Sequence, residues 1–213
     1  MGHRAIVAYE RTDGTYSLHY SHRGAFEYQL RETIGATNPF GECSNEIWAT
    51  ETIDLIRAGE TIEQNPIKEK SGYTSVDPMP RGSADSLEEI ANSYVNYLHY
   101  EAVYLVSMNW DVDVWVPLWA GLTYDCSRIT NANVVGNRVL VRHVDQNPVC
   151  VDHRDLTTKW AVVKEVLGDG LDDNWISSDE ASTYLRSKLE KWTRPNTDLL
   201  FSEDWSIGSM ISD

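Results

Sequence analysis

The feature that most constrains the fold is an alternating pattern at the N-terminus, interrupted by a turn signal. Two β-prone runs, at positions 4–10 and 15–22, flank Asp13-Gly14, a dipeptide suited to the positive φ angles of a tight hairpin. A turn closed at this dipeptide pairs Tyr9 with Leu18, whereas a four-residue loop pairs Tyr9 with Tyr16. Both registers predict the same apolar face, which is formed by Ala5, Val7, Tyr9, Tyr16, Leu18 and Tyr20.

Hydrophobic periodicity predicts the elements that follow. Helices are expected at 46–58, 86–98, 155–167 and 178–192, and strands at 102–108, 112–122 and 138–144. Capping boxes at Ser86–Glu89 and Ser177–Glu180 mark the start of the second and fourth helices. Residues 60–86, rich in glycine and proline, are predicted to form a surface loop. Pro117 lacks an N–H, so the strand that contains it needs an edge or a bulge there.

These elements predict an α+β fold with an antiparallel sheet of about five strands and helices packed mainly on one face. Residues 1–194 are expected to form a single domain, and residues 195–213 an acidic and apolar tail. The tail has too many large apolar residues for a disordered segment, so we expect it to dock. Docking on its own domain makes it a latch, and docking on a neighbouring copy makes it an oligomerisation arm.

The charge distribution indicates a medium rich in salt. Basic residues comprise 12 Arg and only 6 Lys against 33 acidic residues, which gives a net charge of −15. Abundant carboxylates with few lysines suit a solvent crowded with cations; the alternative is an ordinary acidic mesophilic protein. The same charge argues against a nucleic-acid partner. No apolar run is long enough for a membrane span, and the first residues do not resemble a secretory signal, so a cytoplasmic protein is expected.

Two segments resemble a family of small acidic haloarchaeal proteins. One is the opening MGHRAIVAYERTDGTYSLHYSH with Arg23-Gly24-Ala25, and the other runs from YLHYEAVYLV at 97–106 to WAGL at 119–122; together they cover about a quarter of the chain. That family has no assigned function. The resemblance therefore implies a single α+β domain in a high-salt cytosol, or in a virion if the protein is viral, and it supplies no catalytic residue.

Histidine and cysteine groupings support an alternative function, a small metal-dependent hydrolase. The closest groupings of suitable residues are His99 with Glu101 and Cys150 with His153, and His143 could join them at one end of the sheet. Their spacings fit no zinc signature. Cys150 is also a candidate nucleophile, although its acidic neighbourhood disfavours the thiolate. The three cysteines, Cys43, Cys126 and Cys150, contain no CxxC pair and argue against a disulfide framework.

The loop at 169–180 is the best candidate for a cation site. As in an EF-hand, its positions 1, 5 and 12 are Asp169, Asp173 and Glu180, but Leu171 and Asn174 replace an oxygen ligand and a glycine. The other interpretation makes Glu180 half of a capping box and the aspartates solvated turn residues. We therefore predict no cofactor, with a divalent cation as the alternative.

Aromatic residues favour an interaction function. Trp110 lies at a predicted turn and Trp205 in the tail, where core packing does not explain them, and large amphipathic rings contribute much of the energy of interfaces. We predict a non-enzymatic interaction or structural protein of a haloarchaeon or its virus, which binds a protein partner or itself. The predicted contact residues are Trp110, Leu199, Leu200, Phe201 and Trp205.

Thermal stability is expected to increase between low and molar KCl. The Debye length falls to about 3 Å at 1 M salt, so repulsion among the 33 acidic residues is screened. The melting temperature, followed by circular dichroism across a KCl series, tests this expectation. A melting temperature that stays flat or falls over the series would contradict a salt-adapted surface.

Overall fold

A computed structural model describes residues 3–42, 46–62, 74–143, 153–193, 197–202 and 205–211. The chain divides into two compact units, Met1–Pro117 and Leu118–Asp213. Within the described ranges, none of the helices combines the length and the hydrophobicity that crossing a membrane requires.

The described strands and helices occur in runs along the chain, with four consecutive strands before the two longest helices. The strands are β1 (Ala5–Glu10), β2 (Tyr16–Ser21), β3 (Gly82–Ala84), β4 (Ala102–Val106), β5 (Val112–Trp119), β6 (Ile129–Asn131), β7 (Arg138–His143), β8 (Leu199–Phe201) and β9 (Ser209–Met210). The helices are α1 (Leu30–Thr33), α2 (Ile47–Ala58), α3 (Leu87–Glu89), α4 (His153–Asp172) and α5 (Ser178–Trp192). A 3₁₀ turn, Phe26–Tyr28, precedes α1, and a π-helical turn, Ile90–Tyr94, continues α3.

The α+β class is confirmed, but the predicted five-stranded antiparallel sheet is wrong. Seven strands have the order β3-β2-β1-β4-β5-β7-β8, and β6 pairs with β9 in a second, two-stranded sheet. β1 runs parallel to β4, with Ala5 opposite Ala102, so the large sheet is mixed. A parallel pair needs a long crossover, which here comprises residues 11–101. The local sequence of β1 does not indicate which distant strand it will pair with. The described helices also do not group clearly on one face of the sheet.

The N-terminal hairpin forms, but in neither predicted register. Tyr9 lies opposite Ser17, and Val7 lies opposite His19. The loop has three residues, 12–14, closed by the Arg11 N–H, which donates to the Thr15 carbonyl at 2.8 Å. Gly14 ends the loop in the left-handed region with φ +83°, as three-residue hairpin loops require.

This register changes which residues of β2 face the core. A shift of one residue moves every side chain of a strand to the other face, so Ser17, His19 and Ser21 share a face with the core residues of β1. All three are buried, and each hydrogen-bonds: Ser17 Oγ to His19 Nε2 at 3.0 Å, His19 Nδ1 to the Asp77 carbonyl at 3.0 Å, and Ser21 Oγ to the Ser75 carbonyl at 2.6 Å. The predicted apolar face is therefore wrong for β2.

Helix α2 matches its prediction. It ends at Gly59, which has φ +72° and lets its N–H bond the carbonyls of the last turn. Ala49, Ile53 and Ile56 pack into the core of the first unit, which also contains Val7, Tyr9 and Tyr104. These residues make α2 the cover of one face of β1 and β4.

The helix predicted at 86–98 is much shorter than expected. Ser86 caps it by accepting a hydrogen bond from the Glu89 N–H at 3.2 Å, but the Glu89 carboxylate accepts from the Asp85 N–H instead of completing a capping box. The Val95 N–H bonds to the Ile90 carbonyl, and Val95 itself is extended. The preceding segment also holds β3, which pairs with β2 and was predicted as loop.

The predicted central strands form with shorter ends. The pairing of β4 with β5 runs from Val106 opposite Val112 to Val103 opposite Trp115. Pro117 lies two residues beyond that register, so its missing N–H removes no bond from the β4 ladder.

In the second unit, α4 continues past the glycine at which it was predicted to stop. A Cβ at Gly168 would lie 1.7 Å from the Asp125 carbonyl oxygen, so this glycine permits close packing inside the helix and does not end it. The extension places Leu171 in the core, where it is fully buried. Helix α5 begins with the predicted capping box, in which Ser177 and Glu180 each bond the other's backbone N–H.

Part of the apolar tail docks within the second unit. Leu199–Phe201 forms β8 and pairs with β7, and the Ile207 side chain is buried. The Asn137 amide holds Ser206 from both sides, because it donates to the Ser206 carbonyl at 2.5 Å and accepts from its N–H at 3.3 Å.

Buried His19 is expected to make stability depend on pH. Burial lowers the pKa of His19 to about 4, so between pH 4 and its ordinary value near 6.5 the unfolded chain binds a proton that the folded chain does not. From this group alone, the free energy of unfolding falls by roughly 3 kcal/mol as the pH drops from 7 to 4. Urea unfolding across this range, compared with His19→Gln, measures the effect. Equal losses in both proteins would contradict it.

Deleting residues 196–213 is expected to destabilise the protein without changing the number of chains per particle. The deletion removes β8, β9 and buried Ile207, and burial of one such side chain stabilises by about 1.5–3 kcal/mol. The melting temperature should fall by at least about 5 °C. Ile207→Ala, which leaves both strands in place, should cost about 2–5 kcal/mol. A changed mass in light scattering would instead show that the tail is an oligomerisation arm.

Candidate functional site

A cleft of about 920 Å³ opens in the first unit, beside the start of β1 and the end of β2. It is lined by residues from four stretches of the chain: the segment before β1, the segment from the end of β2 through α1, and two short stretches near residues 42 and 75. The lining residues are His3, His22, Arg23, Gly24, Phe26, Gln29, Leu30, Thr33, Glu42, Thr74 and Ser75. We call this site the imidazole cleft.

Hydrogen bonds and close packing constrain the backbone beneath the imidazole cleft. Tyr104 is fully buried on β4 and donates its hydroxyl to the Gly24 carbonyl at 2.5 Å; burial raises the pKa of Tyr104, so the phenol keeps its proton. The Ala25 N–H donates to the His3 carbonyl at 2.9 Å. At Gly24, a Cβ would lie 2.6 Å from the Ser21 hydroxyl oxygen, which leaves room only for glycine.

Each of the two imidazoles in the cleft is oriented through its Nδ1. His3 Nδ1 lies 2.9 Å from a carboxylate oxygen of Glu101, and His22 Nδ1 lies 2.9 Å from the Tyr20 hydroxyl. Neither Nε2 hydrogen-bonds to any other residue that the structure describes. Phe26, which is 44% exposed, has its ring centroid 5.2 Å from that of His3.

Unusual backbone conformations concentrate around this cleft. Glu27, Tyr28 and Glu42 have φ angles of +50°, +52° and +58°, and together they make three of the five positive φ values that the described non-glycine residues show. Such conformations persist only when the surroundings impose them, and they cluster at binding and catalytic sites. The cleft therefore combines oriented imidazoles, a guanidinium and an imposed backbone.

The second unit carries a shallow groove of about 680 Å³ along α4. Its lining residues are Tyr124, Asp125, Thr157, Thr158, Ala161, Val162, Glu165 and Asp169. Tyr124 is 75% exposed, Val162 is 52% exposed, and Val166, one helical turn further on, is 63% exposed. We use the name α4 groove for this lining together with Val166.

Packing beneath the α4 groove holds its aromatic wall in place. The Tyr124 ring lies 5.6 Å from Trp119, and Trp119 donates its indole N–H to the Asn133 carbonyl at 2.7 Å. Lys164 lies over the Trp119 ring at 4.5 Å and 3.3 Å from the Asp125 carboxylate. Burial lowers the pKa of Lys164, and Asp125 opposes that shift.

The residues proposed from sequence for a His/Glu/Cys cluster occupy different elements. His99 is exposed in the first unit, Glu101 orients His3, and His143 ends β7 in the second unit. His153 begins α4, with its side chain outside the description, and Cys43 and Cys150 lie outside the described residues. Across the described ranges, no group of three or more His, Cys, Asp or Glu could hold a metal ion. The pairing of Glu101 with His3, 98 residues apart, left no signal in the local sequence.

The remaining cysteine has a structural environment. Cys126 is buried and donates its thiol to Asp172 at 3.1 Å; desolvation by burial raises the pKa of this thiol, which disfavours the thiolate. Asp172 also accepts from the Ser127 N–H at 2.9 Å, and the hydrogen bonds to Ser127 and Cys126 lower its pKa to about 2. These bonds connect the end of α4 to the turn before β6.

The predicted cation loop is largely part of the helices around it. Asp169 lies within α4 and lines the α4 groove, while Asp173 is exposed just after the helix. Glu180 accepts from the Ser177 N–H at 2.9 Å, and the bonds from Ser177 lower its pKa. Glu180 is thus engaged in the capping box.

The predicted contact residues are partly covered. Trp110 is half-buried, with the Arg57 guanidinium 3.9 Å above its ring, and Arg57 donates to the Ser107 and Met108 carbonyls. Leu199, Leu200 and Phe201 are half-buried in β8, and Trp205 lies edge-on to Phe201 at 5.3 Å. Trp175, which no pattern singled out, is the most exposed large apolar residue described, at 80%.

Of three comparisons with known proteins, the one with family models gives a match. No curated protein and no solved structure matches it. A family model matches residues 1–201, which cover both units up to the end of β8. The chain therefore belongs to DUF6735, a family of unknown function.

Proposed function

We propose that this protein is a non-enzymatic interaction protein of a salt-rich cytoplasm, or of a virus of a haloarchaeon, and that the α4 groove binds a partner protein. One observation carries the proposal. Tyr124 and Val162 line one groove, and Val166 follows Val162 by one helical turn, yet all three are more than half exposed. Contiguous apolar surface with an aromatic anchor is typical of protein contact sites.

The rim of the α4 groove determines the chemistry of the partner. Glu165 and Asp169 line it with carboxylates, and the chain as a whole carries a net charge of −15. Like charge opposes docking of a second copy of the chain, whereas a partner with lysine or arginine beside its apolar side chains is complementary. The proposed occupant is therefore a protein segment with apolar side chains flanked by basic residues.

High salt favours an interface of this kind. Screening shortens the range of charge attraction to about 3 Å at 1 M salt, whereas burial of apolar area stabilises by roughly 25 cal/mol per Å² without relying on charge. Tyr124 and the two valines would supply the affinity, and the rim carboxylates the choice of partner. Trp110 and the tail residues Leu199, Leu200, Phe201 and Trp205 remain secondary candidates for contact.

The hydrolase alternative has less support. Glu101 contacts His3, which is not one of the residues proposed for the hydrolase. Among the described residues, no cluster supplies three ligands for a metal ion. The interaction proposal needs no such cluster.

Selection of binders in molar KCl tests the proposal. A library of random displayed peptides is selected against the full chain, and the recovered peptides are expected to combine aromatic or aliphatic residues with lysine or arginine. Val162→Asp and Val166→Asp should each weaken the best peptide at least about tenfold, equivalent to 1.4 kcal/mol, because each places a charge in the apolar contact. Dissociation constants are measured by calorimetry.

Ile47→Asp is the matched control. Ile47 is 75% exposed at the start of α2 in the first unit, so the substitution makes the same chemical change away from the groove. It should leave peptide binding unchanged, and all three variants should keep the melting temperature within a few degrees. Peptides that bind the groove variants as tightly as the control, or peptides without basic residues, would refute the proposal.

A further inference from the structure

We propose that the imidazole cleft of the first unit is a binding site for a small aromatic anion, a phosphate or carboxylate attached to a flat ring. This inference is independent of the α4 groove and of any interaction function. Three features of the cleft carry it: a guanidinium without a partner, two oriented imidazoles with a free nitrogen, and an aromatic wall.

Arg23 supplies the charge. Its guanidinium makes no ion pair and no side-chain hydrogen bond with any residue in the described part of the chain, although the whole chain contains 33 acidic residues. In so acidic a protein, an arginine left unpaired at the mouth of a cavity presents its five donors to whatever enters. Its planar fork matches a carboxylate or a phosphate in two-point geometry.

The two imidazoles supply further hydrogen bonds in a fixed direction. Glu101 engages Nδ1 of His3, and the Tyr20 hydroxyl engages Nδ1 of His22, so the unpartnered Nε2 of each ring is the nitrogen left for a ligand. Because Glu101 accepts, His3 Nδ1 carries a proton, so His3 Nε2 donates to an anion when the ring is the doubly protonated imidazolium. His22 differs, because the Tyr20 hydroxyl can donate to its Nδ1, and the neutral ring then carries its proton on Nε2. Oriented rings of this kind bind without first losing rotational freedom.

The size and the apolar wall of the cleft exclude a bare inorganic ion as the best ligand. A volume of about 920 Å³ lies in the range of small-molecule sites and far exceeds what one phosphate occupies. Phe26 is 44% exposed beside His3, and an exposed ring at a cavity wall gains free energy by stacking on a flat ligand. The anion would therefore carry a ring.

One lining residue opposes the anion and sharpens the test. Glu42 places a carboxylate in the cleft and forms no described hydrogen bond or ion pair. Removing its charge should strengthen anion binding, whereas removing the charge of Arg23 should weaken it. A nonspecific effect of surface charge would not require either residue to line the cleft.

Calorimetry of the full chain in 0.2 M and 1 M KCl tests the site with four probes: phenyl phosphate, benzoate, inorganic phosphate and benzyl alcohol. At least one aromatic anion is expected to bind with a dissociation constant of about 1 mM or below, at least tenfold more tightly than inorganic phosphate or benzyl alcohol. The ratio of phenyl phosphate to benzoate identifies the head group. Failure of both aromatic anions to exceed the two simpler probes would overturn the proposal.

Variants locate the site. Arg23→Gln should weaken the better anion at least tenfold, and Glu42→Gln should strengthen it, whereas Arg186→Gln, an exposed arginine on α5, should have no effect. Nitrogen NMR of the imidazoles should show ligand-dependent shifts at Nε2 of His3 and His22 and none at exposed His99. Equal losses in Arg23→Gln and Arg186→Gln, or shifts at His99 alone, would show a surface charge effect and refute the assignment.

Discussion

The register between β1 and β2 is the constraint on which the first unit depends. A three-residue loop ending at Gly14 opposes Val7 with His19, so a serine, a histidine and a second serine enter a core of apolar residues. Buried polar groups need hydrogen-bond partners. Residues 75–77 supply two of these partners: the Ser75 carbonyl accepts from Ser21, and the Asp77 carbonyl accepts from His19. A carbonyl can only accept, so His19 Nδ1 carries the proton and Nε2 accepts from Ser17. His19 is therefore a neutral structural histidine.

The same register builds the imidazole cleft. Hydrogen bonds hold residues 75–81 against β2, because the Asp77 N–H donates to the Tyr20 carbonyl and the Arg81 N–H donates to the Leu18 carbonyl. The end of β2 then carries His22 and Arg23 into the cleft, while Tyr104, from the parallel neighbour of β1, fixes Gly24 below them. A polar core strand thus positions the side chains that line a surface site, and the cleft would change shape if the register slipped by one residue.

The second unit differs from the first in that it exposes apolar side chains on the outer side of a helix. Helix α4 buries Trp160, Leu167 and Leu171 on one side and exposes Val162 and Val166 on the other. A polar outer face would satisfy folding equally well, so the exposed valines need another explanation than packing. Apolar contact retains its strength in salt that screens ion pairs. An exposed apolar face can therefore bind a partner in a medium where ion pairs contribute little.

The sequence alone determined the elements whose signals are local: α2 and α5 with their termini, the capping box at Ser177, and the cores of β4, β5 and β7. Only the tertiary structure decided the rest. The parallel pairing of β1 with β4 depends on a crossover, and a loop one residue different from either predicted loop reversed the faces of β2. The sequence predicted that the helix ends before Gly168, whereas the structure places this glycine inside the helix, where its missing side chain lets Asp125 approach closely. The cleft joins His3 to Glu101 across 98 residues. Each of these outcomes depends on contacts between residues distant in sequence, about which composition and periodicity carry no information.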